Sequence, residues 1–278
     1  MSKPLISKDE YDNIIDLYKS GLSQAKIGEL YNVGGYIIGK ILRKCDVQGR
    51  DDSHKSRKYT INENYFDNID TKNKAYILGL FWSDGCNYPP QHRVKIELQE
   101  KDKNILDKIN TEIESNKPLS FNNLNNKNPN WQNTYRLDIT NKHISDRLVE
   151  LGMVKNKSLI IEFPKWLDRS LHASFLRGYC DGDGHIEWNK TKFISIVGTS
   201  QFCEYVKDFC ENYLDVKCSI YNTANKDSNT KLLHICGKNN IKKFLDVIYE
   251  DADLYIERKY NIYKKICQEI NINNSLLN

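Results

Sequence analysis

The chain has 278 residues, of which 39% are hydrophobic and 28% are charged, and its formal net charge is +4. These values are typical of a globular protein with enough length for about two domains. No apolar run approaches the roughly 18 residues that a membrane span needs, and the opening MSKPLISKDE lacks an apolar signal region, so neither a membrane protein nor a secreted precursor is expected.

Ser7–Val47 is predicted to form three short helices. Gly21 follows the first as a C-cap, Ser23 caps the second, and Gly34-Gly35 precedes the third without a side-chain cap. The apolar residues expected to face inward are Tyr11, Ile14, Ile15 and Tyr18; Ile27, Leu30 and Tyr31; and Ile37, Ile38, Ile41 and Leu42. The arrangement resembles the helix-turn-helix domains of recombinases and transcription factors.

The outer face of the third helix is basic, and its DNA-binding candidates are Tyr36, Lys40, Arg43 and Lys44. From residue 40 to residue 58 there are seven basic and three acidic residues, so this segment carries a charge of +4 and the rest of the chain sums to zero. A local basic segment favours contact with phosphate. A small helical domain that contacts protein, followed by a solvated linker, is the alternative.

Two similar stretches indicate an internal repeat. ILGLFWSDG (77–85) and LRGYCDGDG (176–184) share glycine and aspartate positions, and Asp84 and Asp183 lie 99 residues apart. The sequence after residue 48 is polar and aperiodic, which predicts a linker. We place the boundaries at 1–48 for the helix-turn-helix domain, 49–70 for a basic linker, 71–165 for the first repeat and 166–278 for the second.

Similar predicted elements follow each stretch. In the first half they are the strands RVKIEL (93–98) and TYRLDIT (134–140) and the helices NILDKINTEI (104–113) and SDRLVELG (145–152). In the second half they are the strands KFISIV (192–197) and KLLHICG (231–237) and the helices FCEYVKDFCENYL (202–214) and IKKFLDVIY (241–249). The pattern predicts two copies of one αββαββα-like unit.

Small residues four positions apart predict a close helix crossing. If each stretch is helical, Gly79 and Ser83 lie on one face, as do Gly178 and Gly182. Faces of small residues allow two helix backbones to approach closely. We therefore expect the two helices to pack side by side with their C-terminal ends together.

This crossing would bring Asp84 and Asp183 together at two negative helix ends. A divalent cation resolves the repulsion between two carboxylates, and Mg²⁺ prefers carboxylate, carbonyl and water oxygens. The metal-ligand candidates are therefore the two carboxylates and the backbone carbonyls of Ser83 and Gly182. Such a metal supports in-line displacement at a phosphodiester.

Other readings of the aspartates fit less well. An Asp-Gly pair alone is most often a hairpin turn, but two copies in matching context disfavour that reading. A calcium loop that starts at Asp181 would need glycine at Ile186 and glutamate at Lys192. An Asp-x-Asp motif of a sugar-nucleotide transferase would use Asp181 and Asp183, but it predicts no copy in the first half.

Eight cysteines without a CxxC pair predict reduced, buried thiols. A zinc site at Cys218, His234 and Cys236 lacks the usual paired-ligand spacing.

The two stretches resemble the signature motifs of the LAGLIDADG homing endonucleases in their single-chain, two-repeat form. The resemblance covers about residues 59–268, and LGMVKNKSLIIEFP (151–164) and LYIERKY (254–260) support it. It implies an α+β fold of tandem pseudo-twofold αββαββα repeats that form a DNA-binding saddle, preceded here by the small all-α domain. It also implies cleavage of both DNA strands across the minor groove, with Mg²⁺ (or Mn²⁺) held by Asp84 and Asp183.

The resemblance also implies basic or amide side chains near the metal waters. Lys157 and Lys259 are the further catalytic candidates, with Lys155 an equal rival to Lys157. Gln99 or Glu100 is the candidate water-organising residue of the first repeat, where the second repeat has Gly198-Thr199.

Other positions follow from the same resemblance. Trp82 stands where the first aspartate of the motif often occurs, a position that is generally structural, and the second motif keeps Asp181 there. The candidates for DNA contact on the sheets are Gln91, Arg93, Lys95, Glu97, Arg136, Asn189 and Lys192.

The sequence therefore predicts a site-specific, metal-dependent double-strand DNA endonuclease that is a monomer, binds no membrane, and is cytoplasmic, or organellar if it is intron-encoded. The ends of the chain do not match those of a splicing intein, so we expect a free-standing or intron-encoded protein. The main alternative is a non-cleaving DNA- or RNA-binding protein on the same fold, either a transcription regulator or an intron maturase. A transferase is the third possibility.

Overall fold

A computed structural model describes residues 6–48, 58–154, 157, 160–223 and 229–275. The chain divides into two compact units, Met1–Lys58 and Tyr59–Asn278. The smaller unit contains the helices α1 (Tyr11–Lys19), α2 (Gln24–Leu30) and α3 (Gly35–Lys44). The Ser23 hydroxyl accepts a hydrogen bond from the Lys26 amide and so caps α2, while α3 begins at Gly34 without a side-chain cap.

The core of the smaller unit contains Ile14, Ile27 and Ile38, which are fully buried. The prediction that Leu30 faces inward is wrong, because this side chain is 62% exposed. The buried side of α2 is centred near Gly28, where an added Cβ would lie 2.6 Å from the Val33 carbonyl oxygen. Leu30 lies at the margin of this contact, at the last turn of the helix.

The larger unit contains two four-stranded antiparallel sheets with the same topology. The first has the order β1-β2-β4-β3 and the second has the order β5-β6-β8-β7. The elements of the first half are α4 (Lys72–Ser83), β1 (Gly85–Tyr88), β2 (Arg93–Gln99), α5 (Lys103–Glu112), β3 (Ser120–Asn122), β4 (Thr134–Thr140) and α6 (Lys142–Leu151). The elements of the second half are α7 (His172–Asp183), β5 (Gly184–Trp188), β6 (Lys192–Thr199), α8 (Ser200–Tyr213), β7 (Cys218–Asn222), β8 (Thr230–Cys236) and α9 (Lys238–Tyr249).

These elements confirm the predicted α+β fold of two αββαββα repeats. A further helix, α10 (Glu257–Ser275), was not predicted, and neither were the bounds of β1, β3, β5 and β7. Helices α5 and α6 pack on one face of the first sheet, and α8 and α9 pack on one face of the second. We call the opposite face of each sheet its outer face. None of the helices in the described residues is long and apolar enough to cross a membrane.

The larger unit begins earlier in the chain than the sequence indicated. The predicted linker extends to residue 70, but Tyr65 and Phe66 are buried in the core of this unit. The backbone N–H of Asn62 also donates a hydrogen bond of 2.9 Å to the Ile113 carbonyl. Two adjacent aromatic side chains bury a large apolar area, so this polar-looking segment packs as part of the domain. Residues 49–57 of the predicted linker lie outside the described residues.

Candidate active site at the helix crossing

The helices α4 and α7 pack along reciprocal glycines. A Cβ added at Gly79 would lie 2.0 Å from the Phe175 carbonyl oxygen, and a Cβ added at Gly178 would lie 2.0 Å from the Tyr76 carbonyl oxygen. Gly79 and Gly178 are equivalent in the two motifs, and so are Tyr76 and Phe175. Each helix therefore makes the same contact with the other, as expected for an isologous, pseudo-twofold interface.

The crossing places the two aspartates at equivalent helix ends. Asp183 is the last residue of α7, and Asp84 directly follows the last residue of α4. A Cβ added at Gly182 would lie 2.7 Å from Oδ2 of Asp84 and 2.0 Å from Oγ of Ser83. Glycine at position 182 therefore makes room for the first acid beside the end of the second helix.

Both carboxylates reach solvent, yet their environment disfavours the ionised form. Asp84 and Asp183 are exposed side chains, but the packed helix ends around them displace part of the surrounding water. This desolvation, followed by repulsion from Asp183, raises the pKa of Asp84 to about 6. Desolvation also raises the pKa of Asp183, while Lys157 and Lys259 act in the opposite direction. The repulsion from Asp183 shows that the two acids lie close enough to influence each other.

Two buried lysines hold the ends of the helices. Lys157 Nζ donates a hydrogen bond of 2.5 Å to the Ser83 carbonyl. Lys259 Nζ lies 2.5 Å from the Cys180 carbonyl, 2.7 Å from that of Asp181 and 2.6 Å from that of Gly184. Each ammonium group satisfies carbonyls that a helix end leaves without partners. The positive charges of Lys157 and Lys259 also act against the repulsion between the two carboxylates.

The predicted carbonyl ligands already have hydrogen-bond partners. The Ser83 oxygen accepts from Lys157, and the Gly182 oxygen lies 3.3 Å from Lys259 Nζ. Each carbonyl oxygen thus has one of its two lone pairs engaged by a lysine, whereas the carboxylates of Asp84 and Asp183 are solvent-exposed. Lys155, the rival of Lys157, lies outside the described residues.

Asp181 has a structural role that the sequence indicated only through its position. Its carboxylate is fully buried and accepts hydrogen bonds from Tyr76 Oη (2.8 Å), Tyr249 Oη (2.6 Å) and the Ile256 amide (2.7 Å). A carboxylate with these partners cannot join Asp183 in binding a nucleotide sugar. The geometry therefore rejects the transferase alternative.

The cysteines and histidines form no metal site in the described part of the chain. No group of three or more His, Cys, Asp or Glu side chains there has a metal-binding arrangement. Cys218 pairs with the core residue Ile235, whereas His234 lies on the opposite face of the second sheet. The prediction of buried thiols holds for Cys180, Cys203, Cys210 and Cys218 but is wrong for Cys86 and Cys236, which are exposed at strand positions on the outer faces.

The outer face of the first sheet is charged. Arg93, Lys95 and Glu97 on β2 lie opposite Thr140, Asp138 and Arg136 on β4. Asp138 forms an ion pair with Arg93 and lies 3.5 Å from Nε of Arg136. The Arg93 guanidinium holds the pKa of Asp138 below its usual range. Three of the predicted DNA-contact cations therefore share one surface, and two of them are partly neutralised.

Lys192 does not share the corresponding surface of the second sheet. It pairs with the buried Trp188, so its strand position faces the helices, and its Nζ donates a 2.6 Å hydrogen bond to the Asn189 carbonyl. Alignment of the two predicted strands, 93–98 and 192–197, made Lys192 equivalent to Arg93. The strand register instead pairs Ile96 with Gly85 and Ile196 with Gly184, so position 93 corresponds to Phe193. A shift of one residue moves a side chain to the other face of a strand.

The same register corrects the candidate water-organising residues. Gln99 corresponds to Thr199 rather than to Gly198, and Glu100 corresponds to Ser200. Gln99 is exposed at the end of β2. Because β1 and β2 are antiparallel and Gly85 pairs with Ile96, this end of β2 lies on the same side of the sheet edge as Asp84, which precedes Gly85. Thr199 is fully buried, and its hydroxyl donates a 2.6 Å hydrogen bond to the Ile161 carbonyl. The two halves therefore differ beside the acids.

Gln91, another candidate for DNA contact, is exposed and lies just before β2.

In the smaller unit, the four candidate side chains lie on the exposed side of α3. Tyr36 is 68% exposed, and Lys40, Arg43 and Lys44 are also exposed. Lys40 Nζ lies 5.7 Å from the centre of the Tyr36 ring. This helix face combines positive charge with an aromatic side chain.

Comparisons with known proteins found one family model and a set of similar solved structures. Residues 170–249 match the family model described as a LAGLIDADG-like domain, so the resemblance is confirmed for the second repeat. No curated protein matches the chain. One similar solved structure is the meganuclease I-SmaMI bound to uncleaveable DNA, with 13% identity over 72% of this chain and 91% of that chain and a TM-score of 0.46. A second is the homing endonuclease I-WcaI bound to its DNA recognition sequence, with 14% identity over 74% of this chain and 91% of that chain and a TM-score of 0.48. A third is full-length DUF199/WhiA from Thermatoga maritima, with 15% identity over 78% of this chain and 69% of that chain and a TM-score of 0.47.

Proposed function

We propose that this protein is a site-specific double-strand DNA endonuclease in which Asp84 and Asp183 bind the divalent metal at the centre of the site. One observation carries the proposal: reciprocal packing at Gly79 and Gly178 brings two equivalent, solvent-exposed carboxylates together. Each acid directly precedes the first strand of its sheet. A pseudo-twofold site of this kind suits a substrate with two antiparallel strands.

The donor set fits Mg²⁺ or Mn²⁺. Mg²⁺ binds through one or two carboxylates and takes its remaining ligands from water and from substrate phosphates, and the site offers two exposed carboxylates. When bound, a divalent cation stabilises negative charge on the phosphate and lowers the pKa of a water molecule. Lys157 and Lys259 fix the helix ends and so position the two acids. They also place positive charge near the reacting phosphate.

Two surfaces supply the contacts with duplex DNA. Arg93, Lys95 and Arg136 lie on the outer face of the first sheet, where a β-ribbon can enter the major groove. The exposed face of α3 supplies phosphate contacts through Lys40 and Arg43, as in a helix-turn-helix domain. We propose that the protein acts as a monomer, since one chain contains both halves of the site.

A non-cleaving DNA-binding protein on the same fold is the second candidate. The observation that favours it is the pair of lysines, which offsets the charge of the two carboxylates without a cation. Retention of both acids at exposed positions favours the endonuclease. The two functions differ in what Mg²⁺ does to bound DNA.

Cleavage of DNA that flanks the gene distinguishes the two candidates. The purified full chain is incubated with this DNA and with a randomised duplex library, in Mg²⁺, in Mn²⁺ or in EDTA. The endonuclease gives double-strand cuts at one sequence in either metal and none in EDTA. Tight binding without a nick at any site in either metal would establish the second candidate instead.

A further inference from the structure

The outer face of the second sheet lacks charge at every position where the first sheet has it. The strand registers make Arg93 equivalent to Phe193, Lys95 to Ser195, Glu97 to Val197, Arg136 to Leu232 and Asp138 to His234. Five charged side chains thus correspond to five side chains without a formal charge at pH 7.

Four rings cross this face from one edge strand to the other. The ring centroids of His185 and Phe193 are 5.8 Å apart, those of Phe193 and His234 are 5.3 Å apart, and those of Tyr221 and His234 are 5.1 Å apart. We call these residues the aromatic ribbon. Val197 and Tyr221 on this face are 37% and 52% exposed. Neither they nor Leu232 pack against the hydrophobic core.

The geometry points to a thymine-rich half-site as the DNA that this face binds. The inference rests on the proposed function and names the base chemistry that its second half recognises. In the major groove, thymine presents the C5-methyl group, the one apolar feature among the base edges, whereas guanine and cytosine present only polar groups. Apolar side chains cannot pair with those polar groups, and an unpaired polar group that loses water is costly.

The arrangement of the rings favours base edges over base faces. Phe193 and His234 are nearly parallel, with 15° between their planes, so one face of each ring is turned to the other. The remaining neighbours, His185 and Tyr221, flank the pair on the two outer strands. A single-stranded nucleic acid is bound by stacking on free ring faces, and the two central rings, Phe193 and His234, already turn one face to each other.

The two halves therefore recognise DNA by different chemistry. The first sheet presents hydrogen-bonding and charged groups, which suit guanine, adenine and phosphate. The second presents mainly methyl, ring and hydroxyl groups, with His234 at its centre and one carboxylate, that of Glu187, opposite Phe193 on the edge strand β5. The binding site should accordingly be asymmetric, with thymine methyl groups important in one half.

The test is removal of thymine methyl groups from one half-site at a time. A duplex selected from a random library by the full chain in EDTA is resynthesised with deoxyuridine for thymidine in either half, which removes the methyl group and nothing else. We expect about a fourfold weaker Kd for each buried methyl lost in one half, and no change in the other half. Val197→Thr, which preserves volume, should reduce this loss, whereas Lys95→Ala should leave it unchanged.

Each other outcome has a definite meaning. Equal effects of deoxyuridine in the two halves, or a methyl effect that Val197→Thr leaves unaltered, would overturn the inference. Tighter binding of single-stranded DNA or RNA than of duplex would show that the ribbon stacks bases. Failure to select any duplex would refute the proposed function itself. Because Val197 is already partly exposed, the variant should fold normally, which thermal melting checks.

Discussion

In the larger unit, the two repeats have matching residues at the helix crossing but different residues on the outer faces of their sheets. At the crossing, Gly79 and Gly178 make matching contacts, and Asp84 and Asp183 occupy matching ends. On the outer faces, charged Arg93 corresponds to apolar Phe193. Each glycine at the crossing contacts the backbone of the other helix, so a larger residue at either position would disturb both halves. Residues on the faces contact solvent or ligand and can diverge.

The largest expected effect breaks the crossing. Gly79→Ala and Gly178→Ala should each lower the free energy of unfolding by about 3 kcal/mol, because each new methyl group meets a backbone carbonyl that cannot move alone. The two losses should be similar in size. Denaturant unfolding measures them, with Ala173→Ser on the half-exposed side of α7 as the control. A large loss at one glycine and none at the other would contradict the reciprocal packing.

A smaller effect concerns the charge at the crossing. The folded protein raises the pKa of Asp84 from 3.8 to about 6, so its ionised form costs stability, fully so above pH 6 and not at all below about pH 4. Asp84→Asn should therefore stabilise the metal-free protein at pH 7 by about 1 kcal/mol, a figure reduced for the exposure of the carboxylate. Unfolding in EDTA at pH 7 and at pH 4 measures this gain. A gain that is larger at pH 4 would have the wrong sign.

The smallest effect sharpens the contrast between the sheets. Lys95 and Ser195 are equivalent outer-face positions. Lys95→Ala should weaken duplex binding a few-fold and make the slope of log K against log salt less steep by about one. Ser195→Ala should leave the slope unchanged, because no charge is lost. Titrations at several salt concentrations measure both variants. Equal changes in slope would show that the two faces do not differ in this way.

The repeat can be predicted from the sequence because its main elements produce local patterns of small and apolar residues. The spacing of small residues around Gly79 and Gly178 predicts the crossing, and the strand-like segments of apolar residues predict β2, β4, β6 and β8. The short edge strands contain three to five residues, too few for a period to emerge. The long helix α10 is mostly polar, so its pattern is weak.

Other features depend on register and on tertiary packing. A difference of one residue between the two hairpins moves Lys192 off the outer face, and sequence similarity alone matched it to Arg93. The bonds from Lys259 to four carbonyls join residues more than 70 positions apart, which no local pattern encodes. The aromatic ribbon has the same origin, because its four rings come from four strands.

The most direct measurement compares cleavage by the wild type with cleavage by the double variant Asp84→Asn, Asp183→Asn. Both proteins are incubated in Mg²⁺ with the duplex that the wild type binds, and binding is measured in parallel. We predict equal or tighter binding by the double variant, since two repelling carboxylates near phosphate are removed, and a loss of cleavage of at least about a thousandfold. Continued cutting by the double variant at a comparable rate would contradict the role of the two acids.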